Sequence, residues 1–140
     1  MVYSIDDIIH FLIEYSGEKT IIPTANIFLD LGLTGDDFHE FIEKYTEIFA
    51  VDMSDYLWYF HSDEEGSWNS IGGFFFDPPY KRVERIPVTP QLLTEIANKG
   101  KWDIKYPIHV LPARRYDIII NQVFAGMILI WIIHLAISSF

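Results

Sequence analysis

DLGLTGDDFHEFIEKYTEIFAVDM, residues 30–53, decides the fold, because it announces a helix with two unlike faces. Thr34 stands where an N-cap belongs, its hydroxyl placed to accept from the amide of Asp36 or Asp37. Those two carboxylates fall in the first turn, where the helix dipole favours anions. Phe38, Phe41, Ile42, Tyr45, Ile48 and Phe49 then recur at helical spacing as one apolar stripe. The other face carries His39, Glu40, Glu43, Lys44 and Glu47. The stretch predicts a helix that buries one face and offers solvent an acidic one.

Two further helices follow from local signals. Ser4 and Asp7 have the spacing of a capping box, with Asp in place of the usual Glu or Gln, and Ile5, Ile8, Ile9, Leu12 and Tyr15 follow at helical spacing. Thr89 as N-cap, Pro90 at the first helical position and Gly100 beyond the end bracket another helix. Its Leu92, Leu93, Ile96 and Ala97 should face inward. Between the first two helices, residues 17–33 form a long connection interrupted by Pro23 and Asn26, with an apolar piece at 27–33. Ser54 reads as the cap of a short aromatic turn or helix at 55–60. Residues 74–76 and 83–88 predict a short β-hairpin around the turn Asp77-Pro78-Pro79-Tyr80, with Pro87 confining its strand to an edge. The expected architecture is mainly α: a small helical bundle at 1–102 with that hairpin, a linker at 103–117 and a final apolar helix.

That final helix is the plainest signal in the chain. Of the twenty residues 118–137, only Asn121, Gln122, Gly126 and His134 are not apolar. Twenty helical residues extend about 30 Å, the hydrocarbon thickness of a bilayer, and a helix satisfies its own backbone as the membrane demands. Arg114 and Arg115 flank the span on its amino-terminal side, and only residues 138–140 follow it. By the positive-inside rule the amino-terminal domain should be cytoplasmic, giving a single-pass, tail-anchored topology. No charged start, apolar stretch and small-residue cleavage site occurs at Met1, so export is not expected.

Charge is unevenly placed. Residues 1–66 hold fifteen acids against Lys19 and Lys44, residues 67–117 hold five acids against eight bases, and 118–140 hold no charged side chain. The acidic front half argues against nucleic acid, whose binding depends on neutralising phosphates, and suits a protein partner with a basic surface or, equally, ordinary solubility. The chain has no cysteine, which removes disulfides, thiolate metal sites and cysteine nucleophiles.

The segments LGLTGDD, FAVDMS and PVTPQLLTEIANKGKW recur in order in a bacterial family, domain of unknown function 1493, which the chain resembles over roughly residues 4–102. The order of helix, long loop, helix after Asp-Leu-Gly, short helix and final helix also resembles the acyl carrier protein fold. In carriers a Ser-Leu pair begins the second helix, and the serine bears the phosphopantetheine arm. Gly35 and Asp36 occupy those positions here, so Gly35 marks a missing serine. Acyl carriers engage basic partners through that acidic helix, and the resemblance implies the same use of Asp36, Asp37, Glu40, Glu43 and Glu47. The bacterial family implies the inner membrane as the bilayer.

Chemistry beyond docking finds little purchase. Asp36, Asp37, His39 and Glu40 could be read as metal ligands, but one exposed helical turn rarely makes donors converge; a solvated acidic helix start is expected, with no metal or other cofactor. His10, His61 and His109 lack the spacing of a catalytic set, and His134 sits near the end of the span, where a polar residue is tolerated. There is no Gly-x-Ser-x-Gly elbow, and SIGGFFF is not a phosphate loop. Trp58, Tyr59, Phe60, Trp68 and residues 74–76 read as core, or in part as an exposed docking patch. The expectation is a membrane-anchored, non-enzymatic, carrier-like interaction module. Two alternatives stand beside it: an inner-membrane immunity or stress-response protein acting through its span, and an atypical carrier modified at another hydroxyl such as Thr34.

Overall fold

The computed structural model describes residues 2–66 and 70–138; Trp68, Ser139 and Phe140 lie outside them. Five α-helices occur among the described residues: α1 (Ile5–Ser16), α2 (Gly35–Phe49), α3 (Ile71–Phe75), α4 (Pro90–Lys99) and α5 (Tyr116–Ser138). Two short 3₁₀ turns, Trp58–Phe60 and Pro79–Lys81, lie between them.

Local sequence fixes both ends of α1 and α4. Ser4 accepts from the Asp7 amide while Asp7 accepts from the Ser4 amide, and Gly17 closes α1 in the left-handed conformation. Thr89 accepts from the Leu92 amide, Pro90 opens α4 and left-handed Gly100 ends it. Caps of this kind are worth about 1 kcal/mol each.

α1, α2 and α4 enclose one core. Phe11 stacks on Phe41 at 5.7 Å and meets Phe49 edge-on at 5.6 Å, joining α1 to α2. The buried Tyr45 hydroxyl donates to the Leu93 carbonyl at 2.6 Å, joining α2 to α4. Ile8, Leu12, Ile27, Phe38, Leu93, Ile96 and Trp102 complete the interior. Ile48, counted in the apolar stripe, is exposed, whereas Phe11, which falls outside the predicted α1 stripe, is buried. Ile48 lies at the edge of the stripe, beside a shallow pocket that it shares with His10, Phe11 and Glu14 of α1, and stays half exposed.

The long connection is ordered by its own side chains. The Asn26 carboxamide accepts from the amides of Phe28 and Leu29, so the chain turns and delivers Ile27 into the core. The Ile27 amide then donates to the Val88 carbonyl, and the segments following α2 and α4 meet at a single parallel bridge, Asp52–Lys101. Ser54 caps no helix; its amide and hydroxyl both donate to Asp52.

The predicted β-hairpin is not formed, and no strand occurs among the described residues. Ser70 accepts from the Gly73 amide and starts α3, which takes up Phe74 and Phe75. Residues 83–88 are extended but disperse their backbone bonds: Ile86 donates to Phe60, and Val88 accepts from Ile27. A three-residue aromatic run cannot by its pattern separate strand from helix, and the Ser70 cap decided it.

α5 leaves the domain with apolar side chains exposed all round. It has 23 residues, and its most apolar 18-residue window has a mean hydropathy of 2.1 and is not buried at all. It is long and apolar enough to cross a membrane.

Candidate functional site

The opening of α2 is built by a distant loop rather than by its own cap. Gly35 has φ +52°, and a Cβ there would collide with the Cγ of Glu65. Its amide donates to Asp63 Oδ1 at 2.9 Å. Thr34 occupies the N-cap position with extended backbone, yet its side chain makes no capping hydrogen bond. The cap expected of Thr34 therefore comes from Asp63. The Gly35 amide faces the 62–66 loop, where Asp63 accepts from it. Asp63 also lies 4.0 Å from Arg85, whose guanidinium packs 3.4 Å from the centre of the Phe28 ring. Asp63→Ala should accordingly lower stability by about 1 kcal/mol, and Thr34→Ala by less than about 0.5. Urea unfolding of the two variants in detergent checks this; equal losses would return the cap to Thr34.

Asp36, Asp37, Glu40, Glu43 and Glu47 are all exposed, and among the described residues none of them joins an ion pair. They share the outward face because Phe38, Phe41, Ile42, Tyr45 and Phe49 hold the opposite one in the core. His39, half-buried, meets the Trp58 ring at 5.7 Å. An open groove of about 780 Å³ runs along this flank, lined by Glu43 and Glu47 of α2 together with Tyr56, Trp58, Glu64 and Arg115. No group of three or more His, Asp or Glu side chains able to hold a metal ion occurs among the described residues.

The two arginines before α5 differ. Arg114 is exposed. Arg115 is clamped: Nη1 and Nη2 donate to the two carboxylate oxygens of Glu64 at 3.0 and 2.6 Å, and Nε and Nη2 donate to Asp117 at 2.9 and 2.6 Å. Asp117 is only 4% exposed. Bidentate pairing of this kind is directional as well as strong, so the base of α5 is fixed to the loop that caps α2.

Beneath this surface lies a polar aromatic cluster that the sequence left unassigned. His61, 1% exposed, bonds through Nδ1 to the Ile86 carbonyl at 3.0 Å and through Nε2 to the Tyr106 hydroxyl at 2.9 Å. A carbonyl only accepts, so Nδ1 carries the proton and Nε2 accepts from Tyr106. That hydroxyl in turn accepts from Trp102 Nε1 at 2.9 Å and from the Leu57 amide at 3.2 Å. Burial pushes His61 down to about 4, more than the Ile86 carbonyl opposes it. His61 is a structural hub, and Tyr106 carries residues of the 103–117 stretch onto the domain. His109 accepts from the Tyr59 hydroxyl at 2.7 Å and donates to the Pro107 carbonyl. Neither Tyr106 nor Arg115 has a local signal beyond the Trp102/Tyr106 spacing of four.

The site so assembled is a charged ridge beside an aromatic groove, chemistry suited to binding. The family model described as a protein of unknown function (DUF1493) matches residues 5–104, and the chain belongs to that family. The match takes in α1 to α4 and ends before α5. No curated protein and no solved structure matches the chain.

Proposed function

We propose that this DUF1493 chain is a membrane-anchored, non-enzymatic docking module. In this reading the acidic face of α2 captures a protein partner with a basic surface, and residues 118–137 hold the domain on the cytoplasmic side of a bacterial inner membrane. The observation that carries it is the row Asp36, Asp37, Glu40, Glu43 and Glu47, exposed, joined in no ion pair among the described residues and sharing its face with one base, Lys44. Like charges three or four residues apart on one helix face repel one another by a few tenths of a kcal/mol per pair, and five acids outnumber Lys44 here. A partner's lysines and arginines would relieve that repulsion and steer the encounter.

The order of helices also resembles an acyl carrier, and the start of α2 supports a carrier-like shape without the carrier's chemistry. A serine at position 35 would need a left-handed backbone and would strike Glu65. Exposed Arg114 supports the cytoplasmic orientation.

The test is capture of partners from membrane extracts by the full chain in mild detergent. Reversing Glu40, Glu43 and Glu47 to Lys should weaken capture roughly 3- to 150-fold, at about 0.2–1 kcal/mol per exposed pair, with the melting curve unchanged. Salt should weaken it likewise, since exposed charges are screened within about 8 Å at physiological ionic strength. Capture indifferent to both would remove α2 as the docking face. Loss on replacing residues 122–138 with an unrelated apolar span would place the function in the span. A phosphopantetheine adduct on Thr34 or any serine would make the protein a carrier.

A further inference from the structure

The geometry points to a second membrane-binding element: α3 is an interfacial helix whose Ile71, Phe74 and Phe75 enter the lipid bilayer beside the anchor. This rests on the reading of α5 as a transmembrane span. Phe74 is 84% exposed, Phe75 65% and Ile71 44%. Clustered apolar exposure of that kind marks an interaction surface, and the position of α3 says which.

α3 is seated on the foot of α5. A Cβ at Gly72 would collide with the backbone carbonyl of Asp117, so only glycine allows the two helices to lie this close. The Gly72 amide donates to Asn121 Oδ1 at 2.8 Å, and the Phe76 ring lies 5.6 Å from that of Tyr116. Asp117 and Asn121 are about 6 Å apart along the axis, so α3 runs beside the first turns of α5, where a span beginning at residue 118 enters hydrocarbon. α3 packs on α5, and the first turns of α5 expose Ile118, Ile119, Val123 and Phe124 while α3 exposes Phe74 and Phe75. Apolar side chains exposed on a helix seated at the entry of a lipid-facing span are placed to meet lipid.

The polar groups are arranged accordingly. Asn121 at the mouth of the span has its carboxamide oxygen on the Gly72 amide, so neither group needs water there. Exposed Arg82 and Arg114 line one small cavity with Phe76 and Tyr116 and so stand at the same level, where lipid phosphates lie. An apolar edge below and cations above is the arrangement of interfacial helices that lie about 5–10 Å deep at the headgroup boundary.

The test uses the full chain, which has no native cysteine to compete for label. Phe74→Cys, Leu129→Cys and Glu43→Cys, each carrying an environment-sensitive fluorophore, are reconstituted into phosphatidylethanolamine–phosphatidylglycerol vesicles containing lipids with a quencher on the acyl chain. Phe74 is exposed, so its replacement leaves the core untouched, and Phe75→Cys provides an independent second site. Labels at 74 and 75 should be quenched several-fold more than the label at 43, most by quenchers placed high on the chain. The label at 129 should respond most to quenchers placed deep. Quenching at 129 with none at 74 and 75 would overturn the interfacial role of α3 and leave the anchor standing. No quenching at 129 would overturn the anchor and α3's role with it.

Discussion

Cut after Asp117, the chain should move from the membrane pellet to the soluble fraction and still unfold cooperatively. The removed segment holds twelve Ile, Leu, Val and Phe residues between 118 and 137. Each is worth roughly 0.3–0.6 kcal/mol toward membrane insertion at the helix centre, so the anchor supplies several kcal/mol, more than the three apolar side chains of α3 can replace. The core cluster, in contrast, draws its buried residues from Ile8 to Trp102, and α5 buries only Asp117 among its described side chains. The truncated chain keeps Arg115, Glu64 and Asp117. It loses Asn121, and with it part of the seat of α3, so hydrogen exchange should rise at residues 70–76 and nowhere else. Ultracentrifugation and a thermal circular-dichroism curve read the result. An unfolded truncation would make α5 part of the core.

Lowering the pH from about 6.5 to about 4 should cost the folded domain about 3 kcal/mol at His61. The folded-state value, pushed down to about 4 by burial, lies below the ordinary 6.5. Between those values the unfolded chain binds a proton that the native state refuses, so stability falls as the pH falls, and the loss is complete below the folded value. At about 1.4 kcal/mol per unit the interval gives that magnitude. The carboxyls of Asp7 and Asp52 are held below their ordinary value chiefly by the amides of Ser4 and Ser54. Their contribution is therefore lost only at still lower pH, apart from the histidine window. Urea midpoints of the full chain in detergent, taken every half unit, would trace the curve. A flat profile through this range would mean that His61 is solvated or charged in the native protein.

What was legible in the sequence shares one property: its cause lies within four or five residues. Ser4 with Asp7, and Thr89 with Pro90, end helices through bonds that the local chain makes to itself. The stripe in α2 worked because a 3.6-residue period survives any packing that covers one face, failing only at Ile48 on the stripe's edge. Of the proposed docking residues, Asp36, Asp37, Glu40, Glu43 and Glu47 could be read as outward-facing for the same reason. Whether they bind is a separate matter that periodicity does not reach. Residues 74–76 show the opposite case: three aromatics in a row carry no period, so the pattern predicted a strand where a serine cap made a helix.

By itself the sequence determined a three-helix core, an acidic outer face on α2, the absence of a serine at position 35 and one helix of bilayer length. Each follows from spacing, composition or a single side chain. Only the tertiary structure decided that Asp63 caps α2, that Glu64 and Asp117 hold Arg115, that Tyr106 and Trp102 surround His61, and that Gly72 brings α3 against α5. All of these but Asp117–Arg115 join residues 28 or more positions apart. A hydrogen bond or close approach across that distance leaves no trace in local propensity, because loop closure alone sets which distant groups meet. Gly35 shows both halves: the sequence shows that the hydroxyl is missing, and the fold shows a left-handed backbone there, which other residues rarely adopt, with the Glu65 side chain set against it.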